Sequence, residues 1–257
     1  MSTYLLTLAY DGTDYHGWQR QKGVRTLQES VESALSDLMG ASVSVTASGR
    51  TDEGVHAAGQ TASFCCDTRI PCEKIAAALN ARLPRDIRVQ KCVPVPDGFC
   101  ARRSAKQKTY VYRMYVSDVP LPHCERYALR IEKAPDKALW QQACKQIEGT
   151  HDFAAFYCLG SSAKTTVRTV YACDLLSFPA QGAEPPRWEL RICGNGFLYK
   201  MVRLIAGAML RLSDGKIAWQ DFTAALNGQT GRVPKIPAPA HGLTLWQVAY
   251  DFLDHTP

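Results

Sequence analysis

Thr26-Leu27-Gln28-Glu29-Ser30-Val31-Glu32-Ser33-Ala34-Leu35-Ser36-Asp37-Leu38 opens on a capping box and sets Leu27, Val31, Ala34, Leu35 and Leu38 on one helical face. Before it, Tyr4 to Tyr10 alternates like a half-buried strand. After it come strands near Val43–Ser48 and Gln60–Cys66, a helix near Glu73–Leu83 and a strand near Ile87–Val93. That order is βαββαβ, the ferredoxin-like pattern.

The rest of the chain reads in a similar way. Lys106–Val116 is a strand, and Pro135–Ile147 is a helix with proline at its start. Lys164–Phe178 and Arg187–Cys193 form paired strands across the Pro- and Gly-containing loop Pro179–Pro186. Asn195-Gly196 precedes a long helix, Phe197–Leu212, then a short one at Ala218–Leu226, and Thr244–Tyr250 closes as a strand. The class is therefore α/β of the α+β kind. Two halves, 1–104 and 105–257, share a topology but not a sequence.

Composition removes several classes. With 257 residues, 46% hydrophobic, 21% charged and a formal charge of +6, the chain is globular rather than disordered. Its most apolar stretch, Phe197–Leu212, is interrupted by Lys200, Arg203 and Arg211, so no membrane span is expected. Met1-Ser2-Thr3-Tyr4 lacks the basic start of a secretory signal. Ten cysteines, no two spaced Cys-x-x-Cys, read as reduced, mostly buried thiols of a cytoplasmic protein rather than as zinc ligands or a disulfide framework. The six histidines fall at no metal-ligand spacing, and no metal is expected.

Charge placement says more than net charge. Gly98 to Ser117 holds no acid but has Arg102, Arg103, Lys106, Lys108 and Arg113, interleaved with Phe99, Tyr110, Tyr112 and Tyr115. A second acid-free stretch, Tyr15 to Gln28, sets Arg20, Lys22 and Arg25 beside Tyr15, His16 and Trp18. Cations neutralise phosphates and aromatic faces stack unpaired bases, so the two together point to RNA or DNA. A solvated strand face with core tyrosines is the plainer reading of either one alone.

For chemistry, Gly160-Ser161-Ser162-Ala163-Lys164-Thr165 approaches a P-loop but has Ala163 where glycine is required. No Rossmann fingerprint or nucleophile elbow occurs. The densest polar loop is Ser48-Gly49-Arg50-Thr51-Asp52-Glu53-Gly54-Val55-His56-Ala57. A plain turn accounts for its glycines and Asp52, but not for Arg50 and His56 as well. A second cluster, Tyr10 to Gln21, follows the first strand and reads as a turn with an aromatic plug. Arg203 sits among apolar residues and is expected to be substantially buried, which calls for a carboxylate that no spacing identifies.

Gly49-Arg50-Thr51-Asp52-x-Gly54-Val55-His56-Ala57 closely resembles the signature of the TruA family of tRNA pseudouridine synthases. Tyr10-Asp11-Gly12-Thr13-x-Tyr15-x-Gly17-Trp18-Gln19-x-Gln21 resembles that family's N-terminal motif. So do Tyr110-x-Tyr112, His151-Asp152-Phe153, Gly194-Asn195-Gly196-Phe197-Leu198-Tyr199 with Met201-Val202-Arg203, and Ala238-Pro239-Ala240-His241-Gly242-Leu243, in family order. The resemblance implies isomerisation of uridine to pseudouridine in the tRNA anticodon stem-loop, at positions 38 to 40, by a cytoplasmic homodimer without cofactor or metal. It implies an extended, mainly antiparallel sheet with helices on one side and a central basic cleft. It makes Asp52 the catalytic residue, Tyr110 the base-stacking residue and Arg203 the partner that keeps Asp52 ionised. Arg50 is assigned to fill the gap left by a flipped base or to hold a phosphate. Glu53 departs from the family's usual small residue; like-charge repulsion there would raise the pKa of Asp52, and Glu53 is expected to point outward.

Two other classes compete on the residues alone. A noncatalytic RNA-binding protein accounts for the basic and aromatic stretches but leaves the Arg50–Asp52–His56 loop unexplained. A glycoside hydrolase pairing Asp52 with Glu53, Asp11 or Asp14 is disfavoured because adjacent strand residues point opposite ways. Steep salt dependence of binding separates RNA binders from a small-sugar hydrolase.

Overall fold

The computed structural model describes residues 1–158, 160 and 164–251. Ser161–Ala163, the middle of the near-P-loop stretch, and His255 lie outside the described residues. Two units emerge, residues 1–106 with the segment from Thr244 onward, and residues Gln107–Leu243.

In the first unit β1 (Ser2–Tyr10), α1 (Leu27–Met39), β2 (Thr46–Ala47), β3 (His56–Cys66), α2 (Cys72–Asn80) and β4 (Ile87–Val95) follow one another. β1 lies between β4 and β3, and β2 pairs on β3, antiparallel at every step. Consecutive residues Thr3 to Leu6 are all buried, so both faces of β1 are covered rather than one. α1 buries Leu27, Val31, Ala34 and Leu35 as its period requires, and Glu32 with them. The capping box does not form. Thr26 takes the N-cap position, but its side chain makes no cap bond, and its Oγ1 is buried without a partner among the described residues.

Three boundaries shift, the first of them through local hydrogen bonds. The strand expected over 43–48 shrinks to two residues because α1 side chains take its amides. The Val43 N–H donates to Ser36 Oγ (3.0 Å) and the Val45 N–H to Glu32 Oε1 (3.0 Å). α2 stops at Asn80, short of the expected Leu83, which precedes Pro84 and is held off the helical region by it. β3 begins at His56, four residues early.

The closing strand, Leu243–Ala249, was expected to complete the second half. From Thr244 it belongs to the first unit, running parallel to β3 with Thr244 opposite His56 and Leu245 opposite Ala57. Tyr250 fastens its end. The Tyr250 hydroxyl lies 2.6 Å from Thr61 Oγ1 and donates to the Ala101 carbonyl (2.9 Å).

In the second unit β5 (Gln107–Val116) pairs antiparallel with β9 (Arg187–Gly194), β9 with β8 (Val167–Phe178), and β8 with β7 (Gly149–Asp152); the short β6 (Leu129–Ile131) runs parallel to β5. α5 (Lys137–Ile147) starts at Asp136, whose carboxylate accepts the Leu139 N–H (3.0 Å). α6 (Met201–Ser213) begins four residues later than the expected Phe197. Lys200 sits at φ 61°, a left-handed conformation that cannot continue a helix backwards. α3 (Ala101–Ser104) in the first unit, and α4 (Pro122–Glu125) and α7 (Trp219–Leu226) in the second, are the remaining α-helices among the described residues. No helix among the described residues is long and apolar enough to cross a membrane.

Candidate active site

Asp52 lies in the connection between β2 and β3, and that connection is gripped on both sides of it. Upstream, the buried Tyr10 hydroxyl at the end of β1 stands 2.8 Å from Thr51 Oγ1, and the Trp18 N–H donates to the Thr51 carbonyl (3.0 Å). Downstream, the Val55 N–H closes onto the Asp52 carbonyl (3.1 Å), and the Gly12 N–H donates to His56 Nδ1 (3.1 Å). Asp11 Oδ1 lies 3.2 Å from the same His56 nitrogen. At the base of the loop the Gln60 amide donates to the Gly49 carbonyl (2.9 Å) and accepts from Ser48 Oγ (2.7 Å).

Two glycines make the grip possible. A Cβ on Gly12 would stand 2.1 Å from the Val55 carbonyl oxygen, and one on Gly17 would stand 2.7 Å from the Thr51 carbonyl oxygen. Only a bare backbone fits there, and Gly17 also has φ +82°. Burial pushes the Tyr10 phenol well above its ordinary pKa, with the Thr51 and Gln60 hydrogen bonds opposing, so it stays neutral. Thr51 is buried, Asp52 half-buried and Glu53 exposed. The backbone on both sides of Asp52 is therefore held in place, with Asp52 half-buried and Glu53 beside it exposed.

Arg50, exposed on the same loop, donates from Nε to Gln19 Oε1 (3.0 Å). His56, singled out from its motif, is 3% exposed and acts as an acceptor inside the unit. Gln60 and Gln28 were not singled out by sequence reading. Nothing marks either except its place, Gln60 on a strand whose residues after His56 are otherwise apolar or small and Gln28 one turn before Glu32 on the apolar side of α1.

The second unit carries the other residues named from the sequence. Tyr110 on β5 is buried, and its ring meets Phe197 edge to face at 5.2 Å. Arg203, one turn into α6, is half-buried rather than substantially buried; its Nε donates to the Ala238 carbonyl (2.8 Å), and the Ala238 N–H returns to the Arg203 carbonyl (2.9 Å). Tyr112 donates to the Pro239 carbonyl (3.0 Å), and a Cβ on Gly242 would stand 2.8 Å from the Tyr112 ring. Burial lowers the His241 imidazole pKa; Arg203 works in the same direction and Glu125 against it. The Gly194–Phe197 turn packs on β8: Asn195 exchanges bonds with Thr169 through its N–H (3.0 Å) and its Oδ1 (3.1 Å). Asp152 of the His151-Asp152-Phe153 motif caps a 3-10 turn, accepting the Ala154 N–H (3.1 Å).

The basic and aromatic stretches separate in the fold. Tyr110, Tyr112 and Tyr115 are core residues, and Tyr15 and Trp18 plug the turn after β1, while Arg102, Arg103 and Lys106 stay exposed. The expectation of interleaved stacking rings is corrected for Tyr112 and Tyr115, which are fully buried because β5 is covered on both faces there. Arg25 is engaged within its own unit, by Asp86 (3.1 Å) and the Tyr15 hydroxyl (2.7 Å). Among the described residues no group of three or more His, Cys, Asp or Glu is placed to hold a metal ion.

The family model for tRNA pseudouridine synthase matches residues 7–103 and 143–251. The chain is 39% identical over 245 residues to tRNA pseudouridine synthase A of Ruminiclostridium cellulolyticum, covering 95% of this chain and 98% of that one. It is 41% identical to the enzyme of that name from Bacillus licheniformis and 40% identical to that from Bacillus subtilis, each over 247 residues, 95% of this chain and 98% of theirs. With its matched family model and relatives aligned over nearly their whole length, the chain belongs to the tRNA pseudouridine synthases, a family of isomerases.

Proposed function

We propose that this protein isomerises uridine to pseudouridine at positions 38, 39 and 40 of the tRNA anticodon stem-loop, with Asp52 as the catalytic residue. The observation that carries the reading is the half-buried Asp52 carboxylate on a loop fixed by Tyr10, Gly12, Gly17 and Trp18. The reaction breaks N1–C1′, turns the uracil over and forms C5–C1′. Nothing is oxidised or reduced, so one ionised carboxylate suffices, as nucleophile at C1′ or as base at C2′. A uridine in a stem must first leave it, at a cost of a few kcal/mol.

The remaining roles follow from residue chemistry. Arg50, beside Asp52 on the same loop, fills the gap left by the flipped base or holds its phosphate; a planar five-donor guanidinium suits both. Tyr110 stacks on the flipped base, and Arg203 keeps Asp52 ionised. Exposed cations such as Arg102, Arg103 and Lys106 hold the RNA by phosphate and shape. The same proposal includes a cytoplasmic homodimer that needs neither cofactor nor metal.

Tritium release from C5 of labelled uridine in tRNA tests the reading. Release by the wild type and none by Asp52→Asn, with tRNA binding within a few-fold, is the expected result. Release by both variants would discard Asp52. No release by either, with RNA binding intact, would favour a noncatalytic RNA-binding protein.

A further inference from the structure

Arg50 is exposed, and a free guanidinium on so long a stem samples many rotamers. It is held instead by the first link of a chain of side chains that runs back into the first unit. Arg50 Nε donates to Gln19 Oε1 (3.0 Å), Gln19 Nε2 donates to Gln28 Oε1 (2.8 Å), and Gln28 Nε2 donates to Glu32 Oε1 (3.0 Å). Glu32 is 6% exposed on the buried side of α1. It also accepts the Val45 N–H (3.0 Å) and an ion pair from Arg20, whose own N–H donates to Gln28 Oε1 (3.1 Å).

Both ends of this chain have a fixed polarity. A guanidinium only donates, and the Glu32 carboxylate, facing three donors, only accepts. Each glutamine between them must therefore turn its NH₂ toward Glu32 and its carbonyl toward Arg50. An amide able to flip freely would present donor to donor half the time. The carboxylate in the core removes that freedom two side chains away from Arg50.

Given the function proposed above, we infer that Gln19 is a positioning residue for Arg50, oriented by the buried Glu32 through Gln28. Its role is to aim the guanidinium two residues from Asp52, not to touch substrate. Losing it costs rate at saturating RNA more than it costs affinity, because a misaimed group is still a cation.

Single-turnover formation of pseudouridine at saturating tRNA, with the tRNA Kd measured at one salt concentration, tests this. Gln19→Ala is expected to slow the step roughly tenfold, with Kd within about twofold. Gln19→Glu keeps an acceptor for Arg50 and is expected to stay within about threefold of wild type. In an Arg50→Ala background, Gln19→Ala should add nothing further, as expected for residues acting through one contact. An equal loss in both backgrounds, or Gln19→Glu as slow as Gln19→Ala, overturns the inference while leaving the enzyme reading intact. If Arg50→Ala gives no measurable rate, the order of the Ala and Glu variants decides. A wild type that forms no pseudouridine overturns the function and this inference together. Thermal midpoints of each variant separate misfolding from misaiming.

Discussion

The Tyr10 hydroxyl stands 2.8 Å from Thr51 Oγ1, with both residues buried, so the end of β1 is tied to the residue directly before Asp52. Tyr10→Phe deletes that bond and leaves the Thr51 hydroxyl short of a partner in a site water does not reach. The expected cost is about 1–2 kcal/mol of stability. In urea the unfolding midpoint should fall with an unchanged slope. Turnover should fall as well, because the loop loses its upstream anchor. An unmoved midpoint would show that the hydroxyl contributes nothing to the grip.

Gly12 and Gly40 offer a contrast between close approach and backbone conformation. A Cβ on Gly12 meets the Val55 carbonyl oxygen at 2.1 Å, and that backbone cannot swing aside as a side chain would. Gly40, with φ +67°, has nothing within 4 Å of its Cβ position. Gly40→Ala should cost about 1–2 kcal/mol, the left-handed penalty alone. Gly12→Ala should cost about 3 kcal/mol or more and reduce turnover together with stability. Thermal denaturation of the two variants reads the difference, and equal losses would mean that the Gly12 turn is not tight.

The α1 face, the strands β1, β3, β4, β5 and β9, and the Asp52 loop were legible because each rests on a local pattern: period 3.6, period 2, or a dense run of polar residues. What escaped depends on partners remote in sequence. Ser36 and Glu32 capture the amides of Val43 and Val45 and shorten β2, and no feature of residues 43–48 announces it. Lys200 at φ 61° delays α6, although lysine is an ordinary helix former. Tyr112 and Tyr115 looked like stacking rings because cations flank them in sequence; β5 is buried on both faces at Val111, Tyr112, Met114 and Tyr115, and that covering comes from residues remote in sequence. The relay from Arg50 to Glu32 joins residues 50, 19, 28 and 32, an order no motif displays.

Tyr110 lies edge-on to Phe197, a contact that needs the ring and not the hydroxyl. Tyr110→Phe should therefore keep that contact, and its single-turnover rate should stay within a few-fold of wild type. A loss of a hundredfold or more would assign the hydroxyl to proton transfer instead of stacking.

Arg203→Met tests the proposed support of Asp52. If Arg203 acts on Asp52 as proposed, losing its cation should move the acid limb of the activity profile to higher pH. Methionine also leaves the Ala238 carbonyl without its Nε donor, which should lower the melting temperature modestly. A profile superimposable on the wild type would remove Arg203 from that role, whatever the stability change.

Tyr250 links folding to alkaline pH. Burial pushes its phenol from 10 up to about 12, with the Thr61 hydrogen bond pulling the other way. A folded-state pKa above the unfolded one gives stability that is fully present below pH 10 and lost as pH rises toward 12. Over that window the loss from this residue is on the order of 3 kcal/mol. Tyr10, Tyr15 and Tyr112 are raised in the same direction, so the wild type should weaken steeply above pH 10. Tyr250→Phe isolates one share of that loss. It forfeits the bonds to Thr61 and Ala101 and is less stable at pH 8, yet its stability should fall less between pH 10 and 12. Urea unfolding at pH 8, 10 and 11.5 gives both quantities, and parallel losses in the two proteins would mean that Tyr250 ionises as readily folded as unfolded.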